Sequence, residues 1–412
     1  MQSYIFFHEL TFAFTSTVLL IKVASVPARS DLADISTLEM VQIMFRPPLT
    51  HWHYPTDPWN NVAIWKDIAP GFGELTLVGK RQALELGKWL RFRYDGFLSS
   101  SHTRREAIFK TSGVDRAIQT GQVVAAGIYP PAPHDPKSDW DPSREINWQP
   151  IPFHVAPDRI MHPKTLSETE CPRFVAMKNA SFTTTPLAVM INSDPEVVRV
   201  CTEILKHSGL TMCHFGVIHN LHKTLAIQRK YGLPLPAWTD SIMDSMRRIA
   251  VYRTDPRVAV PTTEARRLTS GPILTELVGD MERRIFGGGL VPKMTSYSSH
   301  STAVAALLGT LDIFEARHAP EASVVAVELH RFRGNNHVVR IFFRNETNSP
   351  PYELELPKCR YPCTFANFKT TVSPYLLSDE EWWWECRRGV GRSARGEIYH
   401  NSISSDQNPS LV

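Results

Sequence analysis

Val41-Gln42-Ile43-Met44-Phe45-Arg46-Pro47-Pro48-Leu49-Thr50-His51-Trp52 is the stretch whose reading decides the fold. It opens as an apolar run, which predicts a buried strand. It closes on Arg46 and then two prolines, which have no N–H to give to a ladder and so end the pairing. In an open α/β sheet, ligands bind beyond the carboxyl ends of the strands. Arg46 is therefore expected at the mouth of a site.

The elements to either side fit such a sheet. Beyond a loop rich in Trp, Pro and Asn, Thr76 can cap a helix with apolar residues at Val78, Ala83, Leu86, Trp89 and Leu90. Ala107 to Lys110 predicts a second strand, followed by Thr111-Ser112-Gly113-Val114-Asp115-Arg116-Ala117 and a helix running into Gly127. Taken alone, Arg116 reads as a surface ion-pair partner, yet a helix N-terminus there also favours an anion. Trp148 to His154 predicts a further strand, and 158–267 is mostly helical in pattern. Ile273 to Phe286 predicts an amphipathic helix stopped at Gly287, with no preceding strand to make its glycines a phosphate cradle. Lys293 to Thr302 leads into a helix over Ala303 to Phe314, and Ala322–His330 with His337–Asn345 predicts a β-hairpin.

A chain of 412 residues can form one large domain, or a domain with an inserted cap. An apolar share of 42% against 21% charged argues for a globular chain. The net charge of +4 and the short, scattered basic pairs at Arg104, Arg247, Arg266 and Arg283 exclude a nucleic-acid-binding stripe. Residues 1–28 are expected to be a secretory signal, with an apolar run from Phe12 to Ile21 too short to be a transmembrane anchor and small residues near Val26-Pro27-Ala28. The six cysteines are an even count, as in an oxidising compartment. Cys359 and Cys363 bracket a short turn, without the partners at similar spacing that a metal site needs. Asn179 and Asn345 stand in glycosylation triplets. These features together predict a secreted or lumenal glycoprotein, and the polar, basic tail 387–412 is expected to be disordered.

The strand ending in Arg46, the Gly73–Leu98 helix block, the Ser112–Arg116 arrangement, the strand end at His300 and the Leu356–Cys363 block together resemble the histidine acid phosphatases of the prostatic and lysosomal type. The resemblance spans about Leu38 to Cys386. It implies an α/β fold, a mostly parallel sheet flanked by helices, formed by 29–157 and 268–386, with 158–267 as an inserted helical cap. It implies pairing of Cys171 with Cys386 and of Cys359 with Cys363, which leaves Cys201 and Cys213 for each other. It also implies hydrolysis of phosphate monoesters through a phosphohistidine, without metal or cofactor. In that chemistry a histidine attacks phosphorus, arginines hold the phosphoryl oxygens by bidentate hydrogen bonds, and an aspartic acid protonates the leaving alkoxide.

Against that pattern the sequence keeps Arg46, Arg116 and His300 as phosphate-binding residues. Pro47 stands at the nucleophile position, Thr50 at the second arginine and Ser301 at the proton donor, so no catalytic residue is intact. Proline has no side-chain lone pair, and losing a nucleophile costs about six orders of magnitude in turnover in another hydrolase class. The expectation is an impaired, phosphatase-like pseudoenzyme that holds a small phosphorylated or anionic ligand, with His300 contributing most when protonated; homodimerisation stays open. The alternative is an active acid phosphatase whose reorganised loop lets His51 or His300 attack. From Pro47 to His51 is four residues, roughly 13 Å if extended, whereas attack requires placement to about an ångström.

Overall fold

The computed structural model describes residues 31–48, 50, 73–131, 148–163, 166–255, 260–287, 291–314, 321–345 and 349–388. The expected signal segment, His51, His53 and most of the tail lie outside these.

A mixed sheet of seven strands runs in the order β3-β2-β4-β1-β5-β6-β7. Its strands are β1 (Leu38–Phe45), β2 (Ala107–Thr111), β3 (Phe153–Val155), β4 (Met294–Ser298), β5 (Val324–Arg331), β6 (His337–Arg344) and β7 (Tyr352–Leu354). The first four run parallel, β5 and β7 run against them, and β6 runs with them. This is the expected α/β architecture, and the sheet is parallel where Arg46 emerges.

β1 is central and buried on both faces, which explains its nearly continuous apolar run. Val41, Ile43 and Phe45 face one core, with α1 (Leu77–Arg93) and α2 (Asp115–Ile128). Met40 and Met44 face the other, with α9 (Thr263–Phe286), α10 (Ser301–Thr310) and α11 (Phe365–Val372). The hydroxyl of Thr76 caps α1 as expected, accepting from the Gly79 N–H at 2.9 Å. The helices α1 and α2 cross at Gly87 and Gly127, where a Cβ on Gly87 would lie 2.2 Å from the Val124 carbonyl oxygen.

Two expected boundaries shift. The strand predicted over Trp148–His154 is reduced to Phe153–Val155, because Pro150 and Pro152 cannot donate to a ladder. The helix predicted from Ile273 begins at Thr263 and runs through Pro272. Pro272 leaves the Leu268 carbonyl without its helical donor, and the indole Nε1–H of Trp382 supplies one at 2.9 Å. Trp382, on α12 (Asp379–Arg387), is buried beside Leu268 and the Cys171–Cys386 disulfide. Trp382→Phe removes that donor and leaves a cavity where the wider indole packed, so it should cost about 2–4 kcal/mol. Urea unfolding unchanged by the substitution would contradict this.

Between β3 and α9 lie α3 (Asp158–Met161), α4 (Pro172–Thr184), α5 (Pro186–Asn192), α6 (Pro195–Ser208), α7 (Phe215–Lys230) and α8 (Met243–Ala250). The last four share a separate core built on Val200, Ile204, Phe215, Leu221, Leu225 and Met246, cross-linked by Cys201–Cys213. The third disulfide joins Cys359 to Cys363. Among the described residues, no helix is long and apolar enough to cross a membrane.

Candidate anion-binding site

The strands β2, β4 and β1 end side by side, and backbone hydrogen bonds carry the ladder past their ends. The Ser112 N–H donates to the Ser298 carbonyl (3.2 Å), the Ser299 N–H to the Phe45 carbonyl (2.9 Å) and the Arg46 N–H to the Ser323 carbonyl (3.3 Å). These bonds align Arg46, Ser112 and His300 along the carboxyl edge of the sheet. Two helices also begin there, α2 after Val114 and α10 after His300, and neither cap residue offers a side-chain hydrogen bond to its helix. The positive ends of both helices therefore face one edge without a local side-chain acceptor.

The Nε of Arg46 donates to the Pro47 carbonyl at 3.2 Å. Burial lowers the pKa of Arg46, countered in part by Glu321. Arg116 lies in the first turn of α2, where burial likewise lowers its pKa and Glu74 opposes the shift. His300 is only 5% exposed. Its Nε2 is 2.9 Å from the Ser112 Oγ, and its ring stacks on His162 with 3.6 Å between centroids. Burial first, then the charges of His162, Arg116, Arg46 and Lys223, push the His300 pKa down to about 2. Burial and Arg116 push His162 down to about 4. Protonation of His300 is thus disfavoured in the free protein: the cations that would bind an anion also repel the proton.

Pro47 and Pro48 are both buried directly after Arg46. Thr50 is 6% exposed and bridges to Leu75, at the root of α1. Ser301 is the first residue of α10, beside His300. Arg46 and Arg116 both act electrostatically on His300, although the three come from separate elements. Asn179 is exposed on α4, and Asn345 is partly buried just after β6. No group of three or more His, Cys, Asp or Glu that could hold a metal ion occurs among the described residues.

Sequence reading missed three participants: His162, Lys223 and Glu321. His162 follows α3, which the Ser299 hydroxyl draws to the sheet edge by donating to the Met161 carbonyl. Lys223 lies on α7, and burial followed by Arg46 and Arg116 pushes its pKa down to about 7, with Glu321 opposing. A histidine before a proline and a lysine within a helix carry no spacing signal of their own. Only the tertiary approach of those elements reveals them.

Two arginines and two helix N-termini thus share one parallel sheet edge of an α/β fold, an arrangement whose charge would suit an oxyanion. The family model "Histidine phosphatase superfamily (branch 2)" matches residues 52–213, beginning beyond the Arg46–Thr50 stretch. The lysosomal acid phosphatase of Bos taurus is 30% identical over 344 residues, covering 82% of this chain and 77% of that protein. The testicular acid phosphatase of Homo sapiens is 30% identical over 337 residues, covering 78% and 75%. Among solved structures, the phytase from Citrobacter braakii superposes with a TM-score of 0.58 at 16% identity, over 85% of this chain and 99% of that one. At that identity the superposition speaks for the fold alone. The chain belongs to the histidine acid phosphatase family.

Proposed function

We propose that this chain is a secretory-pathway member of the family that binds a small phosphorylated ligand at the Arg46–Arg116–His300 edge without hydrolysing it efficiently. The observation that carries this reading is the pairing of retained cations with a buried proline, Pro47, directly after Arg46. The relatives named acid phosphatases support a phosphomonoester as the ligand. A phytase from Hafnia alvei in complex with myo-inositol hexakis sulphate shows that a protein of this fold takes a multiply charged oxyanion. The helical segment 158–267 covers the pocket, and Asn179 carries glycan in this reading. The three disulfides and the lysosomal relatives support the secretory route.

One observation favours the rival reading of an active acid phosphatase. His162 and His300 are both neutral at pH 5, so each retains an imidazole lone pair. The Nε2 of His300 is engaged with Ser112, however, and Ser301 is too weak an acid to protonate a leaving alkoxide.

Calorimetric titration with inorganic phosphate at pH 5 should show binding, and Arg46→Ala should weaken it at least about tenfold, as expected for loss of a charge-assisted contact. No binding, or equal affinity in Arg46→Ala, would each count against the reading.

A further inference from the structure

We infer that Lys223, carried by α7 of the helical segment, is a third cationic contact of this site, so that the oxyanion is gripped between the arginines of the sheet edge and the helix above them. This inference rests on the anion-site reading of Arg46 and Arg116.

The placement of α7 is the first argument. Lys230, at its C-terminal end, lies 3.9 Å from Glu321, the residue that also acts on Arg46 from just before β5. Lys223 precedes Lys230 by seven residues, which is two helical turns or about 10.5 Å along the same face. Lys223 thus shares the face of α7 that meets Glu321, and Glu321 also acts on Arg46 of the carboxyl edge. The charged groups facing Lys223 come from separate elements: Arg46 after β1, Arg116 on α2 and Glu321 before β5. His300, stacked on His162, feels Lys223 from the end of β4.

The second argument is charge. Where the family carries its second arginine, Thr50 is buried and bridged to Leu75. Lys223 brings a positive group into range of Arg46 and Arg116 from a separate element, α7. Its flexible stem and compact ammonium suit a single oxygen of a tetrahedral anion, whereas a guanidinium fork engages two. Burial beside two arginines makes the ammonium costly when the site is empty. A bound dianion removes that repulsion, so the lysine is protonated most firmly in the complex.

Sulfate tests this, because its charge does not change between pH 6 and 9. Titrations should compare the parent with Lys223→Met, Lys223→Arg and Arg46→Ala. At pH 6 the parent should bind sulfate, and Lys223→Met should bind it about tenfold more weakly. Below pH 7 Lys223 is protonated with or without ligand, and affinity should be flat. Above pH 7 binding must take up a proton, so parent affinity should fall up to about tenfold per pH unit, while Lys223→Arg stays flat. Lys223→Met within twofold of the parent, with Arg46→Ala much weaker, overturns the role of Lys223 and leaves the anion site standing. A parent that does not bind sulfate, or binds it no better than Arg46→Ala does, overturns the anion site itself. Should Lys223→Met fail to fold, borohydride reduction of the parent with pyridoxal phosphate decides: sulfate-protected labelling of Lys223 supports the assignment, and its absence overturns it.

Discussion

Pro47→His, Pro48→Gly, Thr50→Arg and Ser301→Asp combined should hydrolyse an aryl phosphate at pH 5 at least about a thousandfold faster than the parent, while Pro47→His alone stays within about tenfold of it. The imidazole supplies the missing lone pair, and the glycine frees a backbone that two consecutive prolines fix. The arginine adds a second guanidinium clamp, and the aspartic acid a proton donor. Groups that act as a unit give little singly, because each leaves the others without a partner in the transition state. The site already holds much of what these four residues need. Ser301 opens α10 beside His300, the position at which the family resemblance expects the proton donor. That helix end and the arginines favour the ionised carboxylate, and the charge of a bound phosphate is what keeps its proton on. Thr50 is the demanding position, since it is buried against Leu75 and an arginine must extend from there toward Arg46. A variant that folds, binds phosphate and hydrolyses nothing would show that the pocket has diverged beyond these positions.

Glu328→Ala should cost about 3–5 kcal/mol of stability, the range for removing one partner of a buried ion pair. Glu328 is fully buried on β5, and one carboxylate oxygen accepts from Arg93 Nη2 at 2.8 Å and from the Tyr94 hydroxyl at 2.9 Å. Its other oxygen is 3.0 Å from His330 Nε2, and His330 Nδ1 is 2.9 Å from the Thr37 hydroxyl. Arg93 also donates to the Asp31 carbonyl at 3.0 Å and sits 4.5 Å from the centre of the Phe342 ring. Without Glu328, a guanidinium stays buried with no carboxylate. Burial opposes ionisation of Glu328, but the hydrogen bond from His330 and the charge of Arg93 prevail and hold its pKa below the usual value. A lowered folded-state pKa stabilises above the unfolded value and fades as pH falls through the folded one, so the cost of the substitution should be full at pH 7 and shrink in acid. Denaturant unfolding that finds less than about 1 kcal/mol at pH 7 would contradict this account.

The fold was legible wherever one element carried its own signal. The run into Phe45 predicts a strand because both faces are buried, and Thr76 announces α1 through its cap. The start of α9 was hidden because Pro272 reads locally as a boundary, and only Trp382, far along the chain, supplies the donor that lets the helix continue. The site was legible in Arg46, Arg116 and His300, whose positions follow strand ends and a helix start. His162 and Lys223 were not, because they reach the edge on helices whose own periodicity reports only packing. The charge state of His300 could not be read from sequence either, since it depends on burial, on the stacked His162 and on the cations Arg116, Arg46 and Lys223.

The most direct test is a single-turnover reaction of the unmodified protein with an aryl phosphate at pH 5, quenched in alkali so that any phosphoramidate bond survives, alongside a phosphate-binding titration of the same sample. The account predicts that phosphate binds, that no phosphoenzyme accumulates and that aryl alcohol release does not exceed that of Arg46→Ala. A burst of aryl alcohol with a phosphorylated histidine in the unmodified protein would contradict it.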